Sequence, residues 1–156
     1  PMSFSIQLNI LIVEGVQMYR SILLSNLSGH RCRVAKTIKE ARELYDEVNP
    51  DIMFLDIELP DGSGLEFLKE ITDKYTTSYT VMVTGSASAK DVSEAQANGA
   101  LGYILKPFSS SRINETVDHY MEYRDTLIEL ACDERELKMA EKYVADQEKN
   151  IKSDEE

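Results

Sequence analysis

Residues 51–68 read DIMFLDIELPDGSGLEFL and combine three kinds of local signal in one stretch. The apolar run at residues 52–55 is short and has no polar face, which is typical of a strand covered on both sides of a sheet. Asp56 follows this run directly, and the Pro-Asp-Gly sequence at residues 60–62 marks a turn. Apolar residues then recur at helical spacing over residues 65–71. The stretch therefore predicts a buried strand, a polar loop and an amphipathic helix.

The same order of strand and helix recurs along the chain. Short apolar runs occupy residues 10–13, 32–35, 52–55, 81–83 and 103–105. Helical spacing lies between them over residues 18–27, 38–48 and 65–71, with a shorter and less apolar stretch at 92–97. Short connections between alternating elements imply right-handed crossovers and parallel pairing. The sequence therefore predicts an α/β fold with a doubly wound, five-stranded parallel sheet.

Composition sets the broad class of protein. The chain has 156 residues, of which 42% are hydrophobic, so it is long enough for one soluble domain with a core and an appendage. Its formal net charge of -11 argues against direct binding to nucleic acid or an anionic membrane. No apolar run approaches the roughly 20 residues that span a bilayer. Cys32 and Cys132 are too few for a disulfide framework, and we expect a cytoplasmic protein with reduced thiols.

Four polar residues stand at or just past the ends of predicted strands: Glu14, Asp56, Thr84 and Lys106. Ligands of an open α/β sheet bind beyond the carboxyl ends of its strands, so these side chains should converge. Each alone is more commonly a turn or cap residue. Together they offer a nucleophile for phosphorus, Asp56, with Lys106 and Thr84 to stabilise phosphoryl oxygens. A hard cation such as Mg²⁺ would neutralise the remaining charge.

Three motifs in order carry a family resemblance: residues 51–68, VMVTGSAS at 81–88 and GYILKPF at 102–108. They resemble the receiver domain of two-component response regulators. The resemblance implies a flavodoxin-like (βα)5 fold and a regulatory phosphoacceptor rather than an enzyme. It implies that Asp56 accepts a phosphoryl group from a histidine kinase or phosphotransfer protein. It also implies that Lys106 contacts the phosphate, and that Thr84 and Tyr103 are the residues that switch.

The first strand departs from the family pattern. Receivers usually carry two adjacent acidic residues there, but NILIVEGVQMYR at residues 9–20 has Glu14 followed by Gly15. The expected Mg²⁺ ligands are then Glu14, Asp56 and Glu58. Glu58 would bind through its side chain or its backbone; the alternative is that it is a solvated loop residue and no ligand. Because glycine offers no ligand, we expect the metal site to be weakened. Ser86 either faces the same pocket or caps the following helix.

The resemblance covers residues 7–125, which we assign to the receiver domain, and leaves residues 126–156 as a helical extension. A seven-residue repeat runs through this part of the chain at Tyr123, Leu130, Leu137, Val144 and Ile151. The second row of a coiled coil would begin at Leu127, but the next positions of that row, each seven residues further on, are the glutamates at 134, 141 and 148. This pattern predicts weak self-association, docking on a partner, or a solvated helix. A homodimer could form through this helix or through the face of the fourth and fifth helices.

Three hypotheses for function follow. The first is a receiver that accepts phosphate at Asp56 and switches a contact with a downstream protein, whose identity is unknown. The second is a phosphorylation-independent interaction module, which Gly15 motivates. The third is an enzyme of the haloacid dehalogenase type, but that family needs a second aspartate two residues after the first, where this chain has Glu58.

Overall fold

The computed structural model describes the backbone of residues 6–154 and the side chains of residues 6–150. The strands are β1 Asn9–Val13, β2 Arg31–Ala35, β3 Ile52–Leu55, β4 Glu58–Leu59, β5 Gly62–Ser63, β6 Thr80–Thr84 and β7 Gly102–Leu105. The helices are α1 Gln17–Asn26, α2 Ile38–Val48, α3 Gly64–Lys74, α4 Ala89–Ala97 and α5 Ser110–Asp154. Apart from the two-residue strands β4 and β5, strand and helix alternate through the described chain as the sequence predicts.

Five parallel strands form one sheet in the order β2-β1-β3-β6-β7. Strands β3 and β6 are buried along their whole length, as the apolar runs at residues 52–55 and 81–83 predict. The reversal of strand order between β1 and β3 creates the crevice in which ligands of such sheets bind. The predicted α/β class, the five-stranded parallel sheet and the long C-terminal helix are confirmed.

The register of the strands brings their carboxyl ends to one edge. Val13 pairs with Leu55, so the residues that follow them, Glu14 and Asp56, are neighbours. Thr84 at the end of β6 pairs with Leu105 at the end of β7, and Lys106 comes next. Four polar residues from four strands thus reach the same edge of the sheet.

A small antiparallel hairpin of β4 and β5 was absent from the predicted strands. Its turn ends at Gly62, whose φ of 152° lies in a region that glycine adopts more readily than other residues. Strands of two residues are too short to show a periodicity, so the sequence revealed the turn and not the pairing.

The described residues divide into two compact units, one up to Val117 and one from Asp118. The second consists of α5 residues, and the apolar side chains described from Leu127 onward are exposed, among them Leu130 by 54%, Leu137 by 61% and Val144 by 54%. Ile151, the last residue of the predicted repeat, lies outside the described side chains. Within the described part of the chain, none of the helices combines the length and apolarity that a membrane crossing requires.

Candidate functional site

The centre of the polar edge is a buried cluster of two carboxylates and one ammonium group. Glu14 and Asp56 are only 1% and 3% exposed. Lys106 Nζ donates to Glu14 Oε1 at 2.5 Å and to Asp56 Oδ2 at 2.8 Å. The structure therefore brings together three of the four residues that the sequence placed at strand ends.

Burial changes the protonation behaviour of this cluster. Desolvation raises the pKa of Glu14 to about 7, because this effect and the neighbouring charge of Asp56 outweigh the hydrogen bond from Lys106. Burial alone would lower the pKa of Lys106, but its bonds to Asp56 and Glu14 leave that pKa raised. Lys106 is therefore a cation at neutral pH, whereas the Glu14 carboxyl group changes its protonation state near pH 7.

Asp56 is held in place from several directions. Its backbone N–H donates to the Val13 carbonyl at 3.0 Å, and its Oδ1 accepts from the Glu58 backbone N–H at 3.2 Å. Helix α3 begins very near the backbone of Asp56, because a Cβ added at Gly64 would lie 1.9 Å from the Asp56 carbonyl oxygen. Only glycine permits this approach. The carboxylate is thus presented on a rigid support.

Thr84 lies on the neighbouring strand at the same edge and is buried. Its backbone carbonyl accepts from the Lys106 N–H at 2.9 Å, which ties the end of β6 to the end of β7. Its hydroxyl oxygen accepts from the Ser86 N–H at 3.3 Å. Thr84 therefore connects the Lys106 strand to the loop before α4.

The loop before α4 is tied to Tyr103 through Ser86. The Tyr103 hydroxyl donates to the Ser86 carbonyl at 2.9 Å, and the Ser86 hydroxyl donates to the Asp91 carboxylate. Burial, then the nearby Asp91 charge, raises the pKa of Tyr103. The cap of α4 is Ser88, which accepts from the Asp91 N–H at 3.1 Å. The capping role considered for Ser86 is therefore wrong, since Ser88 is the N-cap and the Ser86 hydroxyl binds the Asp91 carboxylate and the Ser88 backbone N–H.

The cluster offers carboxylate oxygens, which together with water are the ligands that Mg²⁺ prefers. Glu14 Oε2 is buried and has no hydrogen-bond partner in the described part of the chain, so it could serve as a ligand. Glu58 has an exposed side chain, and Gly15 has none. The described residues contain no group of three acidic, histidine or cysteine side chains suited to a metal. Glu14 and Asp56 therefore offer two carboxylates of the kind that Mg²⁺ prefers, and neither Glu58 nor Gly15 adds a side-chain oxygen to the buried cluster.

Sequence reasoning missed two residues that contact the cluster from α1. The Tyr19 ring centroid lies 4.4 Å from Lys106 Nζ. An Arg20 guanidinium N–H donates to the backbone carbonyl oxygen of Glu14 at 3.1 Å. Both follow the first strand closely, but neither belongs to the motifs that carried the resemblance. Their only signal was position in the first turns of the helix after Glu14.

A family model described as the response regulator receiver domain matches residues 10–118. The chain is 32% identical over 114 residues to the chemotaxis protein CheY of Listeria monocytogenes, covering 71% of this chain and 96% of that protein. It is 29% identical over 96 residues to a probable C4-dicarboxylate response regulator, DctR, of Bacillus subtilis, covering 62% of this chain and 42% of that one. It is 29% identical over 115 residues to the regulatory protein AtoC of Escherichia coli, covering 72% of this chain and 25% of that protein. The chain thus spans less than half of the two larger regulators.

Solved structures show the same architecture. A CheY-like response regulator receiver domain protein from Methanospirillum hungatei superposes with a TM-score of 0.71 at 25% identity, covering 75% of this chain and 95% of that one. NtrX from Brucella abortus superposes with a TM-score of 0.75 at 27% identity, covering 81% of this chain and 30% of that one.

Proposed function

Because this chain belongs to the response regulator receiver domain family, we propose that it is a two-component phosphoacceptor in which Asp56 receives the phosphoryl group. Receiver domains are regulatory phosphoacceptors rather than classical enzymes. The donor would be the phosphohistidine of a histidine kinase or phosphotransfer protein. The observation that carries the proposal is the 2.8 Å hydrogen bond to Asp56 from Lys106, whose side chain is only 9% exposed.

The transfer is a displacement at phosphorus. An oxygen of the Asp56 carboxylate forms a bond to phosphorus while the bond from phosphorus to the donor nitrogen breaks, and the electron pair leaves with that nitrogen. Lys106 is close enough to neutralise charge on the transferred group, which is the main requirement of this chemistry. The Thr84 hydroxyl would move to donate to another phosphoryl oxygen. Tyr103 would respond to this movement of Thr84 through Ser86, which contacts both residues. These roles agree with the contacts of the loop before α4.

Mg²⁺ would be held by Asp56 and Glu14, with Glu58 as a further candidate, and when bound it would neutralise phosphoryl charge. We propose that the site is weaker than usual in the family because Gly15 supplies no carboxylate. In this chain Lys106 then carries a larger share of the charge stabilisation.

The alternative is a receiver that works as an interaction module without phosphorylation. Two observations favour it: Gly15 removes one expected ligand, and Lys106 already bonds to both carboxylates. In either case the output is a changed contact with a downstream protein, whose identity is open. We propose a cytoplasmic location and no direct contact with nucleic acid or membrane, in keeping with the net charge of -11.

We further propose that residues 7–125 form the receiver and that residues 126–156, of which the last two lie outside the described residues, form an extension for protein contact. The exposed leucines of α5 could support weak self-association, and a homodimer through the α4 and α5 face is the other arrangement. The glutamates that alternate with those leucines oppose a strong parallel coiled coil.

Intact mass spectrometry after incubation with acetyl phosphate and Mg²⁺ separates the two functions. We expect an added phosphoryl mass on the wild type that Asp56→Asn abolishes and that Asp73→Asn, a change at an exposed helix position, leaves in place. A wild-type protein without the added mass would contradict the phosphoacceptor role and favour the interaction module.

The metal part of the proposal has its own comparison. Gly15→Asp should tighten Mg²⁺ binding roughly tenfold relative to Gly15→Asn, since only the aspartate adds a charged ligand. Both variants place a Cβ 3.3 Å from Pro60 Cδ, so the pair controls for this tight contact. Equal Mg²⁺ affinity of the two variants would show that Gly15 is not the cause of a weakened site.

A further inference from the structure

Lys106 has a third neighbour besides the two carboxylates. Its Nζ lies 4.4 Å from the centroid of the Tyr19 ring, and its side chain is only 9% exposed. The face of an aromatic ring carries negative electrostatic potential and attracts a cation, most strongly where water is excluded. The ammonium group is therefore bound by Glu14, by Asp56 and by a ring face.

Tyr19 is itself supported by a residue beside Lys106. The Tyr19 ring packs against the Phe108 ring, with centroids 5.6 Å apart and planes inclined by 37°. Phe108 lies two residues after Lys106, so the loop that presents the lysine also presents the ring that supports Tyr19. Helix α1 and the loop after β7 are joined at this point by two aromatic side chains.

We propose that Tyr19 is a positioning residue, whose ring holds the Lys106 ammonium against Asp56 and shields it from water. The inference rests on the proposed phosphoacceptor function. Tyr19 matters more in this chain because Gly15 leaves the site with fewer carboxylates for Mg²⁺. The site then depends more on the Lys106 ammonium group. A lysine has a long flexible stem, so losing the ring would let the ammonium turn toward solvent.

The test compares Tyr19→Leu with Tyr19→Phe, which keeps the ring and removes only the hydroxyl. We expect Tyr19→Leu to lower the rate of phosphorylation by acetyl phosphate by roughly fivefold to thirtyfold. We expect Tyr19→Phe to stay within about twofold of the wild type, since the ring face provides the attraction. Met18→Leu, a change at an exposed neighbouring position, should leave the rate unchanged. Urea unfolding of each variant confirms that the folded protein is being compared.

A second measurement does not depend on phosphorylation. The NMR signal of the Lys106 methylene next to Nζ, assigned by its disappearance in Lys106→Met, reports the nearby ring through its ring-current shift. This signal should move in Tyr19→Leu and remain in place in Tyr19→Phe.

The outcomes distinguish the two ideas. An unphosphorylated wild type would contradict the proposed function, and the NMR shift would still decide whether Tyr19 holds Lys106. A phosphorylated wild type with an unimpaired Tyr19→Leu variant would overturn the inference alone. Equal loss in Tyr19→Phe and Tyr19→Leu would also overturn it, because the hydroxyl rather than the ring would then be responsible.

Discussion

The same residue types are buried in the core of the first unit and exposed in the C-terminal part of α5. Leu68 of α3 is fully buried, whereas Leu137 of α5 is 61% exposed, although both belong to regular apolar patterns. Apolar spacing predicted both helices. Only at Leu68 does packing against other elements add the contacts that make the residue important for stability.

Charged residues show the same contrast. Glu14 is 1% exposed and titrates near neutrality, with a pKa raised to about 7 by burial. The glutamates at 134, 141 and 148 lie on an exposed helix surface, where water solvates their charge. The chemistry of a glutamate in this chain therefore depends on its three-dimensional surroundings and not on its sequence neighbours.

The largest effect is expected at Gly64. Gly64→Ala should lower the free energy of unfolding by more than about 3 kcal/mol, because its Cβ would overlap the Asp56 carbonyl oxygen and the backbone must shift. Urea unfolding followed by circular dichroism measures the change. Gly29→Ala is the matched control, since a Cβ there has no neighbour within 4 Å, and it should stay within about 0.5 kcal/mol of the wild type. Similar values for the two variants would contradict the close packing of α3 on Asp56.

A smaller effect concerns the pH dependence of stability. The pKa of Glu14 is raised from 4.5 to about 7 in the folded protein, so the folded state holds this proton more tightly than the unfolded state. Its contribution is therefore fully present below about pH 4.5 and is lost as the pH rises through 7. We expect wild type to lose roughly 2 kcal/mol relative to Glu14→Gln between pH 5 and pH 8, measured by urea unfolding with EDTA. Parallel pH profiles for the two proteins would show that Glu14 keeps an ordinary pKa.

The smallest effect is expected in the C-terminal helix. Leu137→Ala should change the free energy of unfolding by less than about 0.5 kcal/mol, because the side chain is largely in solvent. The same change at Leu68 should cost about 3 kcal/mol, since it empties a fully buried position. A loss above about 1 kcal/mol for Leu137→Ala would indicate a partner on this surface, and sedimentation of the two proteins would show whether that partner is a second copy.

Much of the candidate site could be predicted because it depends on strand ends. Parallel strands place their carboxyl ends at one edge, so residues just past Val13, Leu55 and Leu105 had to meet there. The hairpin of β4 and β5 and the ring of Tyr19 had no comparable signal. Their contacts depend on turn geometry and on packing between distant parts of the chain.

Periodicity and turn residues are local properties, so they were sufficient to predict the order of strands and helices, the parallel sheet and the residues at its polar edge. The bonds from Lys106 to Glu14 and Asp56, and the Tyr19 ring beside it, became visible only in the folded protein. Packing also makes Glu14 titrate near neutrality. Hydrogen-bond distances and desolvation arise only when separate elements pack together, and no local pattern encodes them.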